Sequence, residues 1–561
     1  MKNGIRLAGN EDRETHSSWI IVLTSMWLAT VGNLALWNEI IHLPETNDIR
    51  ALWFGFSFAL LIASLICMAL SLLCWRGTLK TVVSVFLLVA AFGGYFMLSY
   101  GVVIDSTMVL NVLQTDLRES RDLLSWKMLF TVLVIAVLPM VLLWRRQLKH
   151  FTVLRQLAHN TLFFIGGCIF AVLAVLPLYQ DFASNMRNNT QLRFLINPLN
   201  SFYALVDVAI QPLQRQNTIQ ALGLDVKLGP SYLKQAKVPL LVLVVGETAR
   251  SGNFGINGYV RETTPELIQT NKNSDNTGDL TSFKNVWSCG TSTATSLPCM
   301  FSHLGKSAYQ ENTQNYENLI DVLQRAGLAV IWMENQTGCK GVCDRIPSIS
   351  TSGLSVPGHC ATGECFDEVM LQQLTERLAA LPFERVNKGI VVVLHQMGSH
   401  GPAYYKRTPE NFKKFQPECT TNTLQDCSRS EVTNAYDNTV SYTDHFLNSV
   451  IDFLKSKKPY AQTAMLYVAD HGESLGENNL YLHGLPYAIA PDVQKRVPWI
   501  NWLSNDFIQR SGMDTVCLHQ QTGNRFSHDN YFHSILGLMD IQTTLYKPAL
   551  DMFNACKFKS K

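Results

Sequence analysis

The sequence carries little charge, and what it carries is almost balanced. Only 16% of its 561 residues are Asp, Glu, Lys or Arg, and 46 basic residues against 44 acidic ones leave a formal net charge of +2. Without a basic excess the chain lacks the field typical of nucleic-acid binding, so we expect no nucleic-acid partner. Low charge with 47% hydrophobic residues also excludes a largely disordered chain. The length indicates more than one folded unit.

Charged residues are missing above all from five stretches of the N-terminal third. These windows are 15–38, 51–75, 81–104, 128–144 and 156–180. A membrane-spanning helix needs about 20 apolar residues, with about 17 as the lower limit, and all five windows satisfy this. Tryptophans near window ends, such as Trp19, Trp75 and Trp144, are typical of membrane interfaces. The alternative, a buried soluble core, explains five such windows poorly, so we predict five transmembrane helices.

Basic residues flank these windows unevenly. One side carries Lys2, Arg6, Arg13, Arg76, Lys80, Arg145, Arg146, Lys149 and Arg155, and the other carries Arg50, Arg118, Arg121 and Lys127. The positive-inside rule therefore predicts a cytoplasmic N-terminus, with everything after the fifth span outside. We expect a membrane domain over 1–180, an interfacial linker with amphipathic helices over 181–230, and an exported domain over 231–561.

The cysteines agree with an exported C-terminal part. Cys67, Cys74 and Cys168 lie in the predicted spans, whereas the other ten follow them: Cys289, Cys299, Cys339, Cys343, Cys360, Cys365, Cys419, Cys427, Cys517 and Cys556. An even number in an exported domain indicates disulfides. The alternative for the Cys339-x3-Cys343 pair is a zinc site. Sequence alone does not fix the connectivity.

The exported part alternates apolar runs with helical patterns. The runs at 238–245, 328–333, 389–394 and 464–469, with a weaker one at 498–503, are typical of strands buried on both faces. A helix is predicted over 315–326, and two apolar stripes at helical spacing indicate further helices: Met370, Leu374, Leu378 and Leu381, and Val440, Leu447, Ile451 and Leu454. This alternation predicts an α/β domain with a mainly parallel, doubly wound sheet. Ligands of such sheets bind beyond the carboxyl ends of the strands.

Three of these strand ends carry groups suited to metal binding. The first run is followed by Glu247, the third by His395, and the fourth by Asp470 and His471, with His483 twelve residues further on. One ionisable group at a strand end is commonplace, but three consecutive ends are hard to explain by packing. Carboxylate and imidazole together suit a divalent cation, zinc or manganese.

A hydroxyl-rich loop lies between the first two runs. Residues 289–299 place five hydroxyls between two cysteines: Thr291, Ser292, Thr293, Thr295 and Ser296. The loop is either a polar turn closed by a disulfide or a rigid loop that positions one hydroxyl next to the metal. Metal coordination is one way to activate such a poor nucleophile. These arguments do not select among the five.

Four motifs together resemble one family. They are Val-Val-Gly-Glu-Thr at 244–248, Cys-Gly-Thr-Ser-Thr-Ala at 289–294, His-Gln-Met-Gly-Ser-His at 395–400 and Ala-Asp-His-Gly-Glu-Ser at 469–474. With the five spans, they resemble the lipid A phosphoethanolamine transferases, which include the mobile colistin-resistance enzymes. The resemblance covers nearly the whole chain. It implies an alkaline-phosphatase-like exported domain, the inner membrane of a Gram-negative bacterium with a periplasmic catalytic domain, and polymyxin resistance.

The resemblance also implies roles for individual residues. Glu247, Thr293, Asp470 and His471 would hold a catalytic zinc, and Thr293 would be the nucleophile. Substrate contacts would come from Asn111, Thr115, Glu119, Thr337, Lys340, His395 and His483, with His395 and His483 also candidates for a second, transient zinc and His400 beside the site. Asn111, Thr115 and Glu119 share one face of a helix by their spacing.

The expected reaction moves phosphoethanolamine from phosphatidylethanolamine to lipid A through a phospho-threonine, in a monomeric enzyme. Three alternatives remain open: a transferase with another acceptor or a phosphoglycerol donor, a membrane-tethered phosphodiesterase or sulfatase, and a sensor with a degenerate enzyme domain. The complete set of metal-type residues disfavours the last. The lack of Cys-x-Pro-x-Arg at the nucleophile position disfavours a sulfatase.

Overall fold

The computed structural model describes residues 14–42, 49–115, 117–149, 151–214, 218–233, 236–272, 277–351, 354–361, 364–372 and 374–558. Within these ranges, side chains are not described at 14, 49–51, 117–119, 211–214 and 361. The chain divides into two compact units, the first comprising Met1–Val109 with Leu124–Val208 and the second Leu110–Leu123 with Ala209–Lys561. The second unit thus includes a segment that lies between the third and fourth spans in sequence.

Five helical stretches are long and apolar enough to cross a membrane, as predicted. They are Ser17–Ile41, Leu52–Leu73, Leu79–Tyr100, Trp126–Arg145 and Val153–Asn188. The fourth contains a π-helical turn over Leu133–Val137 just before Pro139, a residue that cannot donate a backbone hydrogen bond to the helix. Large apolar side chains such as Phe130 and Leu142 are exposed on it, as expected for a lipid-facing surface.

In the described residues before 215 there are twelve α-helices. They are α1 (Ser17–Thr30), α2 (Leu34–Ile41), α3 (Ile49–Leu73), α4 (Leu79–Tyr100), α5 (Ser106–Gln114), α6 (Leu117–Asp122), α7 (Trp126–Val132), α8 (Leu138–Arg145), α9 (Val153–Val175), α10 (Tyr179–Asn188), α11 (Gln191–Phe194) and α12 (Leu199–Gln214). The predicted linker is therefore helical at its start, while its place at the membrane interface stays a prediction. Asn197, between α11 and α12, is buried and donates hydrogen bonds to the carbonyls of Gly32 and Ala90.

The second unit is built on an eight-stranded sheet. Its strands are β1 (Val238–Gly246), β2 (Gly278–Trp287), β3 (Ala329–Glu334), β4 (Ser348–Ser350), β5 (Ile390–His395), β6 (Ala461–Ala469), β7 (Arg496–Ser504) and β8 (Phe526–Ser527). The spatial order is β8-β2-β7-β6-β1-β5-β3-β4. Strand β7 runs antiparallel to both neighbours, and the other pairings are parallel. The sheet is mixed but mainly parallel, as predicted.

The predicted strands occupy the centre of this sheet, and one large strand was not predicted. Strands β6, β1, β5 and β3 are nearly continuous apolar runs, and the weaker run at 498–503 became β7. Strand β2 was missed because its residues Gly278–Trp287 alternate between buried and more exposed positions and do not form a continuous apolar run.

Eleven further α-helices of the described residues surround the sheet. They are α13 (Pro265–Lys272), α14 (Thr293–Met300), α15 (Lys306–Glu311), α16 (Leu319–Arg325), α17 (Val369–Gln372), α18 (Leu374–Ala379), α19 (Phe383–Val386), α20 (Arg429–Lys457), α21 (Asn505–Ser511), α22 (Thr515–Gln520) and α23 (Tyr531–Leu538). The prediction of a helix from residue 315 was wrong at its start. Asn315 and Tyr316 form a short strand with Ile219–Gln220, and Asn318 caps α16 by accepting from the backbone N–H of Ile320.

Four further short strand pairs and several short 3-10 helices, including His528–Asn530, lie among the described residues. The strand pairs join Glu14–Thr15 with Gln147–Leu148, Lys227–Leu228 with Ile541–Gln542, Cys360–Ala361 with Glu364–Cys365, and Ser474–Glu477 with Leu480–Leu482.

Candidate active site

Strand register brings the predicted metal-type residues together. Gly246 at the end of β1 pairs with Ala469 at the end of β6, so that Glu247 and Asp470 leave the sheet side by side. The N–H of Asp470 donates to the carbonyl of Gly246 at 2.9 Å. Glu247, Asp470 and His471 are each at most 1% exposed. Burying two carboxylates costs free energy of folding unless a cation or strong hydrogen-bond donors compensate their negative charge.

Among the five candidate hydroxyls, Thr293 lies at this cluster. Ser292 is extended and precedes α14, so that Thr293 is the first residue of the helix. Its Oγ1 lies 3.1 Å from Glu247 Oε2 and 3.3 Å from His471 Nε2. The hydroxyls of Thr291 and Ser296 are used elsewhere, since they donate to the carbonyls of Leu485 and Asp470.

The ring of His471 is oriented by a backbone carbonyl. Its Nδ1 lies 2.9 Å from the oxygen of Gly472, which can only accept, so Nδ1 carries a proton. Its Nε2 lies 3.4 Å from both Glu247 Oε1 and Asp470 Oδ2. A histidine ligand held in this way by its other ring nitrogen is typical of protein metal sites.

The donor atoms fit a four-coordinate metal ion. Asp470 Oδ2 is buried without a hydrogen-bond partner in the described part of the chain, and ligand atoms of Glu247, Asp470 and His471 lie within 4.8 Å of one another. Measured from one oxygen of Glu247, Oε1, the separations are 3.2 Å to Thr293 Oγ1 and 3.4 Å to His471 Nε2. His471 Nε2 in turn lies 3.3 Å from Thr293 Oγ1 and 3.4 Å from Asp470 Oδ2. These distances match the roughly 3.3 Å edge of a tetrahedron with ~2.0 Å metal–ligand bonds. The residues present therefore fit zinc.

The electrostatics of the cluster follow from burial and close opposite charge. Burial opposes the ionised form of Glu247, but the hydrogen bond and charge of His471 hold its pKa well below the usual value. Burial and the charge of Glu247 raise the pKa of Asp470. Burial disfavours the imidazolium of His471, yet Asp470 and Glu247 raise its pKa to about 10. The site attracts positive charge.

Three further histidines surround the cluster. The ring of His483 lies 4.3 Å from that of His471 and 5.9 Å from that of His400, centroid to centroid. His395 is fully buried, and neither of its ring nitrogens has a hydrogen-bond partner among the described residues. Both His395 and His400 are close enough to lower the pKa of Glu247.

The predicted head-group residues and the segment before the fourth span come close to each other within the second unit. Lys340 Nζ lies 3.4 Å from Thr337 Oγ1 and 3.4 Å from the carbonyl oxygen of Gln114. Thr115 follows Gln114, and its hydroxyl donates to the carbonyl of Asn111 at 2.8 Å. The predicted contact by Glu119 falls on a side chain outside the described residues.

Sequence reasoning missed several residues that support this site. Glu334 ends β3 opposite His395, and its Oε2 lies 3.9 Å from His395 Nδ1. Asp367 is buried and accepts from the backbone N–H groups of Met397 and Gly398. Glu473 is buried, with Oε1 3.3 Å from His483 Nδ1. Extending the strand-end rule to β3 would have found Glu334.

The loop after β5 passes so close to Glu247 that it requires glycine. Gly398 has φ +51°, and a Cβ there would lie 2.8 Å from the carbonyl oxygen of Glu247. The hydrogen bonds that Asp367 accepts from the backbone of Met397 and Gly398 hold the loop in this position.

The ten cysteines of the second unit form five disulfides between neighbours in sequence order. They are Cys289–Cys299, Cys339–Cys343, Cys360–Cys365, Cys419–Cys427 and Cys517–Cys556. The bond between Cys339 and Cys343 favours the disulfide over the alternative zinc site. Cys67, Cys74 and Cys168 are free thiols.

Comparison with known proteins identifies the family of the chain. The family model described as Phosphoethanolamine transferase EptA/EptB matches residues 62–213, and the Sulfatase model matches residues 239–541. The phosphoethanolamine transferase EptA of Salmonella typhimurium is 37% identical over 96% of this chain and 97% of its own length. The chain belongs to the phosphoethanolamine transferase family. The resemblance drawn from the motifs is thus confirmed.

Two further members of the family show how far the likeness extends. The phosphatidylethanolamine transferase Mcr-2 of Escherichia coli is 35% identical over 90% of this chain and 95% of its own length. The solved structure of the integral membrane lipooligosaccharide phosphoethanolamine transferase A of Neisseria meningitidis matches with a TM-score of 0.90 and 35% identity, over 97% of this chain and 99% of that one. The likeness therefore includes both units, and the second unit has the alkaline-phosphatase-like fold that the motifs implied.

Proposed function

We propose that this phosphoethanolamine transferase moves phosphoethanolamine from phosphatidylethanolamine to a phosphate of lipid A through a covalent intermediate on Thr293. The observation that carries the proposal is the position of the Thr293 hydroxyl, 3.1 Å from Glu247 and 3.3 Å from His471. A hydroxyl aimed into a buried cluster of metal-type residues is the arrangement that nucleophilic phosphoryl transfer requires.

Glu247, Thr293, Asp470 and His471 would hold one zinc ion, with His395 and His483 as candidates for a second. When bound, zinc supplies a Lewis acid that lowers the pKa of the Thr293 hydroxyl and offsets negative charge on the transferred phosphate. Gly472 fixes the His471 tautomer that leaves Nε2 facing the cluster.

In the first step, Thr293 Oγ1 attacks the phosphorus of phosphatidylethanolamine. The bond from phosphorus to the glycerol oxygen breaks, and diacylglycerol leaves as an alcohol with the proton that the Thr293 hydroxyl gives up. Thr293 is the first residue of α14, and the positive end of the helix favours the phosphate that now lies there. Lys340, with Thr337 and Asn111 nearby in the second unit, would contact the donor head group.

In the second step, a phosphate hydroxyl of lipid A attacks the phosphorus, the bond from phosphorus to Thr293 Oγ1 breaks, and the proton of the attacking hydroxyl passes to Oγ1. The motif resemblance points to lipid A, and the N. meningitidis relative acts by its name on lipooligosaccharide. Both substrates are lipids, which explains why the catalytic domain follows five apolar helices. Placing neutral head groups on lipid A phosphates would reduce the negative charge to which polymyxins bind.

The proposed topology follows the sequence prediction. The enzyme would lie in the inner membrane as a monomer with its N-terminus in the cytoplasm. Residues 1–180 would form the membrane domain, 181–230 the interfacial linker and 231–561 the periplasmic catalytic domain.

Mass spectrometry of the intact enzyme after incubation with phosphatidylethanolamine tests the covalent step. We expect an added phosphoethanolamine that maps to Thr293 and is absent from Thr293→Ala. Thr295→Ala is the matched control, since it removes a hydroxyl from the same helix without touching the cluster, and it should still acquire the adduct. An enzyme that never carries the adduct, together with a Thr293→Ala variant that still modifies lipid A, would favour direct transfer between the lipids.

A further inference from the structure

A buried histidine joins the two halves of the candidate site. His528 directly follows β8 and opens a short helical turn over His528–Asn530. Its side chain is 1% exposed. It belongs to none of the four motifs and to none of the strand ends that predicted the metal cluster.

The ring of His528 contacts both halves of the site, and its Nδ1 also lies 3.3 Å from the Ser296 hydroxyl oxygen. Its Nδ1 lies 3.1 Å from the backbone nitrogen of Cys289, and its Nε2 lies 3.0 Å from the carbonyl oxygen of Ala469. A backbone N–H can only donate and a carbonyl can only accept, so Nδ1 accepts and Nε2 donates. This pattern requires the neutral ring in one tautomer.

The hydrogen bonds to Cys289 and Ala469 reach the two segments that carry the nucleophile and the metal-type residues. Cys289 begins the loop that leads to Thr293, four residues later, and is clamped to Cys299. Ala469 is the last residue of β6 and directly precedes Asp470 and His471. Ser296 adds a direct link, since its hydroxyl donates to the carbonyl of Asp470 at 2.5 Å.

The turn that carries His528 is itself fixed to the sheet. Ser527 pairs with Trp287 at the end of β2, the strand that leads into the Cys289 loop. The N–H of Ser527 donates to Asn530 Oδ1 at 2.9 Å, and Asn530 Nδ2 donates to the carbonyl of Leu550 at 2.9 Å. The imidazole of His528 therefore forms a fixed connection between the Cys289 loop and the end of β6.

We propose that His528 is a positioning residue for the transfer reaction, setting the distance between the Thr293 hydroxyl and the Glu247, Asp470 and His471 cluster. The inference rests on the proposed role of Thr293 as nucleophile. Small displacements of a nucleophile cost large factors in rate because reacting atoms must start close and aligned. In the described part of the chain, the hydrogen-bond partners of His528 are Cys289, Ser296 and Ala469 rather than the side chains of the cluster.

The test compares variants of the full-length enzyme in detergent. His528→Ala should lower kcat for transfer from phosphatidylethanolamine by about tenfold or more, while KM and bound zinc stay at wild-type values, because only the alignment needed in the transition state is lost. His528→Asn should recover part of kcat, since its Oδ1 replaces Nδ1 as acceptor for Cys289. His528→Gln, whose Nε2 can replace only the donor to Ala469, should recover less.

His533→Ala is the matched control for losing a buried imidazole. His533 lies in α23, is also 1% exposed, and accepts through Nδ1 from a backbone nitrogen, that of Lys547, at 3.3 Å. It should lower the melting temperature but leave kcat near the wild-type value. Wild-type kcat in His528→Ala, or equal kcat losses in the alanine variants of His528 and His533 with no recovery in His528→Asn, would overturn the inference.

Two further results separate the possible failures. If Thr293→Ala transfers as fast as the wild type, the proposed function fails and the inference with it. If Thr293→Ala is inactive while the His528 variants keep wild-type kcat, only the inference fails. Should His528→Ala not fold, wild-type kcat in both the Asn and Gln variants overturns it.

Discussion

At the scale of single residues, the Thr293 hydroxyl shows where sequence arguments stop. The loop 289–299 offers five hydroxyls, and nothing in composition or spacing distinguishes them. Resemblance to a family points to Thr293, and the structure then places its Oγ1 against Glu247 and His471. Which of the five hydroxyls faces the cluster depends on where α14 begins, and no short-range sequence pattern determines that position.

Replacing Thr293 with serine should reduce activity without abolishing it. The attacking oxygen survives in Thr293→Ser, but the variant loses the β-methyl group that restricts the χ1 rotamer. We expect kcat between the wild type and inactive Thr293→Ala, with zinc retained, in a transfer assay on purified enzyme. A zinc-loaded serine variant as inactive as Thr293→Ala would show that the hydroxyl is not the group that matters.

Zinc binding should depend jointly on the carboxylate and imidazole of the β6 end. Metal analysis of the purified enzyme should find about one tightly held zinc per chain, and the Asp470→Ala/His471→Ala double variant should lose it. His445→Ala, which removes a histidine that contacts Glu266 and Glu368 instead, should keep its zinc. Full occupancy in the double variant would refute the ligand assignment.

At the scale of elements, the strands that could be predicted are those with the simplest pattern. Strands β1, β5 and β6 are buried on both faces and are therefore apolar runs, and the rule that ligands bind at their carboxyl ends led to Glu247, His395 and Asp470. The residues of strand β2 alternate between buried and more exposed positions, so a search for continuous apolar runs did not detect this strand. His528 was missed because its role depends on a long-range contact, 239 residues from Cys289.

The disulfide of the nucleophile loop should matter more for activity than for stability. Cys289 and Cys299 are 10 residues apart, whereas Cys517 and Cys556 are 39 apart, and the stabilisation from a disulfide increases with the loop it closes. We expect Cys289→Ser/Cys299→Ser to lose most transfer activity with a small loss of melting temperature, and Cys517→Ser/Cys556→Ser to show the reverse. The opposite ranking would contradict the positioning role of the first bridge.

A charged histidine should make the contact between α13 and α20 pH-dependent. His445 Nδ1 lies 3.0 Å from Glu266 Oε1, and its Nε2 lies 3.4 Å from Glu368 Oε1. These hydrogen bonds raise the pKa of His445 to about 10, above its unfolded value of about 6.5. The stabilisation is therefore complete below about pH 6.5 and is lost as the pH rises toward 10.

Melting temperatures of wild type and His445→Gln across this range test the contact. The difference should be largest near pH 6 and should shrink toward pH 10. His519→Gln removes a more exposed imidazole, paired with Asp279 alone, and should change the melting temperature little. A wild-type advantage that grows with pH would show that His445 is neutral in the folded protein.

At the scale of the whole molecule, the two units were predicted from two different sequence patterns. Uncharged windows predicted five apolar helices, and apolar strands with polar ends predicted the α/β domain. The division was less simple than the sequence suggested, because residues 110–123, between two spans, belong to the second unit. This segment carries Asn111 and Thr115, and the carbonyl oxygen of its Gln114 lies 3.4 Å from Lys340 Nζ, which supports the proposal that these residues contact a lipid head group together.

The central claim is that this enzyme places phosphoethanolamine on lipid A, and mass spectrometry of lipid A from expressing cells tests it most directly. Cells making the wild-type chain should contain lipid A with added phosphoethanolamine on a phosphate, and cells making Thr293→Ala at the same level should not. Unmodified lipid A despite folded wild-type enzyme in the membrane, or equal modification by Thr293→Ala, would contradict the account.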